Sequence, residues 1–185
     1  MGKMRPTETL MHEHQIILLA IGAAEREVSH IEATGQMHED RVEQMLDLFP
    51  NFADRCHHAK EEKLLFVRMG ERGMPAQGGP IAVMLQEHEM GRGFLRAARD
   101  AFAGAKLEDA GTIAQVQDAL GGYARLLRAH IDKEDHILFP MADRLFSPED
   151  QRDLEAAFDQ VEAEEIGLGV HDRYHQMAHD LAAGA

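Results

Sequence analysis

The chain has 185 residues, 33 of them acidic and 19 basic, for a formal net charge of −14; that length suits one domain with a full core and an appendage, not two ordinary domains. Such a balance offers no basic stripe to a phosphate backbone or an anionic membrane, which excludes nucleic acid and membrane surfaces as expected partners. The single cysteine, Cys56, permits neither an internal disulfide nor a thiolate cluster, and the opening Met1-Gly2-Lys3-Met4-Arg5-Pro6 carries no apolar signal run, so the expectation is a soluble, unprocessed, cytoplasmic protein.

Apolar residues recur at helical intervals and strictly alternating β-branched runs are absent, which predicts an all-helical chain. Helix A opens near Thr7 or Thr9, sets Leu10, His14, Ile17, Leu18 and Ile21 on one face, and stops at Thr34-Gly35, where glycine suits a left-handed cap. Helix B spans about His38 to Met69, with Pro50 expected to kink or break it ahead of His57 and Glu61. The glycines and prolines from Gly70 to Pro80 read as the loop joining two halves. Helix C starts at Pro80, carries Met84, Leu85, His88 and Leu95, and ends near Gly104; Gly91 and Gly93 weaken it or admit a close neighbour. Helix D runs from between Asp109 and Thr112 to Phe146, interrupted in propensity at Gly121-Gly122. Ser147-Pro148-Glu149-Asp150 supplies an N-cap, a first-turn proline and an acidic third position, opening helix E, which is expected to end at Gly167. A short helix F follows from Val170 to about Ala182. The expected architecture is an up-down four-helix bundle over residues 1–146, with a helical extension, 147–185, packed on it.

The two halves repeat. His57-His58-Ala59-Lys60-Glu61-Glu62 with Leu65-Phe66 aligns with His130-Ile131-Asp132-Lys133-Glu134-Asp135 and Leu138-Phe139, each pair 73 positions apart (57 to 130, 61 to 134). Upstream, Glu13-His14 aligns with Glu87-His88 at an offset of 74 (14 to 88). Residues four apart share a helical face, so His57 with Glu61, and His130 with Glu134, each aim an imidazole and a carboxylate at one point, with His14 and His88 approaching from helices A and C. Buried carboxylates make sense when cations neutralise them. Two bridging carboxylates with two imidazoles per ion divide this set evenly between two metals. Nitrogen and oxygen donors without thiolate suit iron, with manganese or zinc also open.

Two rivals share these stretches. His58 and Glu62 also stand four apart, but their repeat partners are Ile131 and Asp135, so they are expected on an exposed or outer supporting face. His12 competes with His14, yet only His14 has a counterpart in the other half.

At these residues the chain resembles the hemerythrin-like, histidine-histidine-glutamate cation-binding family, over roughly residues 10 to 146. The resemblance implies a di-iron cofactor, two iron ions with a bridging oxo or hydroxo group. It gives His14, His57, His88 and His130 the terminal-ligand role and Glu61 and Glu134 the bridging role. Oxygen-carrying members have a further histidine four residues after the one on helix C; here that position is Arg92, which argues against reversible oxygen transport. Water, an extra carboxylate or Tyr123, two turns before His130, are candidates for that coordination position, with Tyr123 favoured as a packing residue.

His171, His175 and His179 form one stripe on helix F and are expected to be a solvated face. Ferritin-type spacing occurs once, at Glu27-x-x-His30, and no His-Glu-x-x-His, phosphate loop or nucleophile elbow is present. The expected function is binding of, and reaction with, a small diatomic or peroxide ligand (oxygen, nitric oxide or hydrogen peroxide), as a di-iron oxidoreductase or, alternatively, as an iron- or gas-sensing module. Apolar Leu64, Phe66 and Phe139 are expected to limit water access.

Overall fold

The structure, a computed structural model, describes residues 4–103, 109–163, 167 and 169–184. Among the described residues there is no strand, and the helices assemble into six rods. The first, α1 (Pro6–Thr34), begins on a proline whose missing N–H costs nothing there and ends at Gly35, whose φ of 69° is the left-handed cap that glycine adopts without strain.

The second rod joins α2 (Glu39–Leu48), a π-helical stretch π1 (Phe49–His58), a second π turn π2 (Glu61–Leu65) and α3 (Phe66–Glu71). Helical dihedrals persist through Phe49, Ala59 and Phe66, so the rod is unbroken. The kink or break expected at Pro50 takes the form of the widened π1 helix instead. Proline cannot donate to the Leu46 carbonyl, which accepts from Arg99 of the neighbouring rod at 2.9 Å. The third rod is α4 (Pro80–Ala103); its expected end at Gly104 lies outside the described residues. The fourth joins α5 (Ala110–Lys133), capped by Asp109, to a π turn π3 (Glu134–Leu138) and α6 (Phe139–Leu145). Both π2 and π3 open on the glutamate of the repeat, so the internal duplication extends to the backbone.

These four rods pack in a ring, α1 against α2 and π1, π1 and α2 against α4, α4 against α5, and α5 against α1, which is an up-and-down bundle. Among the described residues three apolar clusters fill it, and two of them flank its buried polar residues. One gathers Ile17, Ile21, Phe49, Phe52, Tyr123 and Leu127; the other Leu10, Leu65, Phe66, Met84, Leu138 and Phe139. On every rod the chain passes from one cluster to the other through a buried polar residue: His14 on α1, His57 and Glu61 on the second rod, His88 on α4, and His130 and Glu134 on the fourth. A polar layer is thereby held between two dry ones.

Two further rods lie outside the ring. α7 (Pro148–Val161) starts at Ser147, whose hydroxyl accepts the Asp150 N–H, while Asp150 receives Arg68 and Arg72, each at 2.6 Å, and so ties α7 to α3. Its expected end at Gly167 follows residues outside the described set. α8 (Val170–Ala183) packs on α1 and α2, sinking Tyr174, Ala178 and Leu181 into the first cluster. Arg26 donates to the Leu181 and Ala182 carbonyls of its last turn, at 3.0 Å each. Among the described residues, no helix is long and apolar enough to cross a membrane.

Gly122 allows α4 and α5 their close approach, because a Cβ there would lie 2.4 Å from the Phe94 ring. Gly122→Ala should lower the thermal midpoint, since overpacking costs about 1–3 kcal/mol and exceeds the helix-propensity gain of up to about 1 kcal/mol. Adding Phe94→Ala should cost less than the sum of the single changes. A Gly122→Ala protein as stable as its parent would contradict this packing.

Candidate metal centre

The polar layer brings together His14, His57, Glu61, His88, His130 and Glu134, all six predicted residues, each 0–1% exposed. It also brings in one that was placed elsewhere. His58, expected on an exposed or outer face, is 3% exposed and stacks on His88 with ring centroids 3.8 Å apart. The π-helical backbone explains this, because a residue in π1 advances less around the axis than in an α-helix, so neighbouring His57 and His58 both face inward. His12, by contrast, is exposed on the surface of α1.

Two groups of donor atoms form, each within 4.8 Å of one another: His58, Glu61, His88 and His130, and His14, His57, Glu61 and Glu134. Glu61 belongs to both, with Oε1 3.4 Å from His57 Nε2 and Oε2 3.5 Å from His88 Nε2. Glu134 Oε2 also faces both, 3.3 Å from His14 Nε2 and 3.2 Å from His130 Nε2. The two carboxylates thus span from one group to the other.

Every imidazole is fixed from outside by a carboxylate on Nδ1. His14 meets Asp135 at 2.6 Å, His57 meets Glu13 at 2.9 Å, His58 meets Asp54 at 3.3 Å, His88 meets Glu62 at 2.7 Å and His130 meets Glu87 at 2.9 Å. A carboxylate only accepts, so each Nδ1 carries the hydrogen and each Nε2 turns inward. Lys60 donates to Glu13, and Lys133 to Glu87, compensating the buried Glu13 and the half-buried Glu87. This outer ring obeys the internal repeat: Glu13 pairs with Glu87, Lys60 with Lys133, Glu62 with Asp135, and Phe139 stacks on His14 as Phe66 does on His88. Its signal was therefore present in the sequence, in the acid before each histidine and the lysine before each glutamate.

Inside the ring, the Nε2 atoms of His14, His57 and His58 and all four oxygens of Glu61 and Glu134 are buried without a hydrogen-bond partner. The Nε2 atoms of His88 and His130 face each other at 3.0 Å. Lone pairs so arranged require a cation or a proton among them. Five imidazoles and two carboxylates, pre-aimed and with no competing donor apart from the contact between His88 and His130, fit a pair of metal ions with nitrogen and oxygen preference. The electrostatics agree. Burial would lower His57, but the Glu61 charge and the Glu13 bond outweigh it and hold the ring up at about 10; the same balance against Glu134 holds His130 at about 9. Burial would raise Glu134, yet the His130 charge keeps it well below the usual carboxylate range. Burial and the neighbouring His88 push His58 well below its ordinary value, leaving it neutral.

The sequence model of the hemerythrin HHE cation binding domain matches residues 5–142. The chain belongs to this hemerythrin family. No curated protein and no solved structure matched it. The family match ends before α7, so the two outer rods lie beyond it.

Arg92, standing where oxygen-carrying hemerythrins have a histidine, reaches Asp54 and Glu62 at 2.8 and 2.7 Å, the acids that hold His58 and His88. Tyr123 packs edge-on to Phe49 in the first cluster, its hydroxyl buried without a partner. Cys56 is buried and burial pushes its thiol up to about 12, which leaves it unreactive. His171 and His175 are half-buried and His179 exposed; His171 comes within 4.0 Å of Glu13, so the stripe on α8 is only partly a solvated face.

In protein stripped of metal, stability carries a signature of these shifts. His57 and His130 sit above their ordinary 6.5, so their contribution is complete below that value and is lost as pH rises towards 9 and 10. Glu13, held by burial-resisting bonds from His57 and Lys60 at about 2 against an ordinary 4.5, contributes above 4.5 and loses its contribution as pH falls. His58, pushed below its ordinary value, adds a further loss as pH falls below 6.5, so the thermal midpoint of the stripped protein should peak near pH 6.5 and decline on either side. A midpoint that climbs from about pH 7 to about pH 9.5 would contradict the arrangement.

Proposed function

We infer that the chain is a di-iron protein that binds and reacts with small oxidants or gases. The observation that carries this reading is the set of seven buried, unpartnered donor atoms aimed into one layer. In the proposed assignment His58, His88 and His130 would hold one ion and His14 and His57 the other, with Glu61 and Glu134 shared between them. His58 was absent from the six-residue set read from the sequence. Two irons, when bound there, supply adjacent redox-active Lewis acids able to take up oxygen, nitric oxide or hydrogen peroxide. Residues 1–146 would form the metal-holding unit and 147–185 an extension.

The chain's own residues prepare the site for that ligand. The His14 and His57 group has one imidazole fewer than its neighbour, which would leave the ligand its room on that side. Phe139 against His14, with Leu10 and Leu65 one turn along from His14 and Glu61, keeps bulk water out. Glu13, Glu62, Glu87 and Asp135 fix the ring orientations and raise the basicity of Nε2, as outer carboxylates do. Lys60, fully buried, balances Glu13 and keeps that carboxylate on His57 Nδ1.

Iron analysis of purified protein should give about two ions per chain, falling to at most about one in His57→Ala. Less than one iron, unchanged by that substitution, would refute the centre. Glu87→Gln, which keeps shape but removes charge, should weaken iron binding about 10- to 100-fold. Rapid mixing with each oxidant then divides the reactions: turnover beyond one equivalent of peroxide or nitric oxide marks an oxidoreductase, and a stable reversible adduct marks a binding or sensing protein. Iron-loaded protein inert to all three would overturn the functional reading.

A further inference from the structure

Beside the polar layer, between π1 and α4, a pocket of about 160 Å³ opens to solvent. Its floor is apolar, made by Leu46, Pro50 and Leu95, and its walls carry Arg92, Arg96 and Arg99 from one face of α4. Among the described residues that line it, Asp54 is the one acid.

The three guanidiniums are not equivalent. Arg92 is committed, to Asp54, Glu62 and Glu89. Arg99 donates to the Leu46 carbonyl, the group that Pro50 cannot serve, and a neutral acceptor leaves its charge uncompensated. Arg96 is exposed and forms no hydrogen bond or ion pair among the described residues. In a chain of net charge −14, two uncompensated cations at the mouth of an apolar-floored pocket are a recognition feature for an anion.

We propose that this pocket binds a small oxyanion bearing one or two carboxylate or phosphate groups, held by Arg96 and Arg99 over Leu46, Pro50 and Leu95. Its position makes it an effector site. Arg92 forms the shared wall: the same side chain binds Asp54, which holds His58, and Glu62, which holds His88. An anion in the pocket competes with Asp54 and Glu62 for Arg92, so its occupancy alters the carboxylates that orient two imidazoles of the metal layer. That coupling rests on the proposed di-iron reading, whereas anion binding does not.

The probes are succinate and inorganic phosphate, titrated calorimetrically into the full chain, both metal-free and iron-loaded, alongside Arg96→Gln/Arg99→Gln. Both substituted residues are exposed, so circular dichroism should match the parent. At least one probe should bind with one-to-one stoichiometry and be weakened about tenfold or more by the double substitution, in either metal state. In iron-loaded protein the same probe should shift the visible absorption spectrum of the parent and not of the variant. Absence of binding up to about 10 mM, or equal binding by parent and variant, would overturn the pocket. Binding lost in the variant with no spectral change in the iron-loaded parent would overturn the coupling to His58 and His88. Iron-free preparations still report the pocket, so a failed metal centre and a failed anion site are told apart.

Discussion

Glu61 and Glu134 lie at the centre of the bundle, wholly buried, with none of their four oxygens in a hydrogen bond. Burying a carboxylate without a partner costs several kcal/mol per ion even after relaxation, comparable to the net stability of a whole domain. A fold that keeps two of them must compensate the charge, and the surrounding chain is organised to do so. Five imidazoles face them, five outer carboxylates hold those imidazoles, and Lys60 and Lys133 balance two of the outer acids. The polar layer is tolerable because protons or metal ions complete it.

That constraint also accounts for the backbone. A regular α-helix turns consecutive residues 100° apart, and the wider π-helical turn reduces that angle, which brings His57 and His58 closer to one inward face. The second rod carries this widening at His57 and His58, and π3 reproduces it at Glu134. Apolar clusters above and below then fix the rods, and the close contact at Gly122 sets α4 and α5 near enough for His88 and His130 to meet.

Most of the layer was legible in the sequence because it is symmetric. A repeat detects paired features, and His57 with His130, Glu61 with Glu134 and His14 with His88 announce themselves by spacing. The same spacing contained the outer ring, although Glu13, Glu87 and the lysines were not read as such. What the repeat hides is whatever breaks it. His58 has Ile131 as its counterpart, so pairing argued against it. Arg92 was read as the loss of a histidine. In the folded chain it secures Asp54 and Glu62, and His58 gives one group the third imidazole that helix C does not provide. The argument against reversible oxygen transport rested on a missing fifth imidazole, and His58 puts a fifth imidazole in the layer.

The asymmetry, three imidazoles on one side and two on the other, is the central claim, and anomalous scattering from crystals of the iron-loaded protein tests it most directly. Measured at the iron absorption edge, it should show two peaks, one among His58, His88, His130 and Glu61, the other among His14, His57, Glu61 and Glu134. A single peak, or a pair in which His58 lies outside the coordination sphere of either ion, would contradict the account.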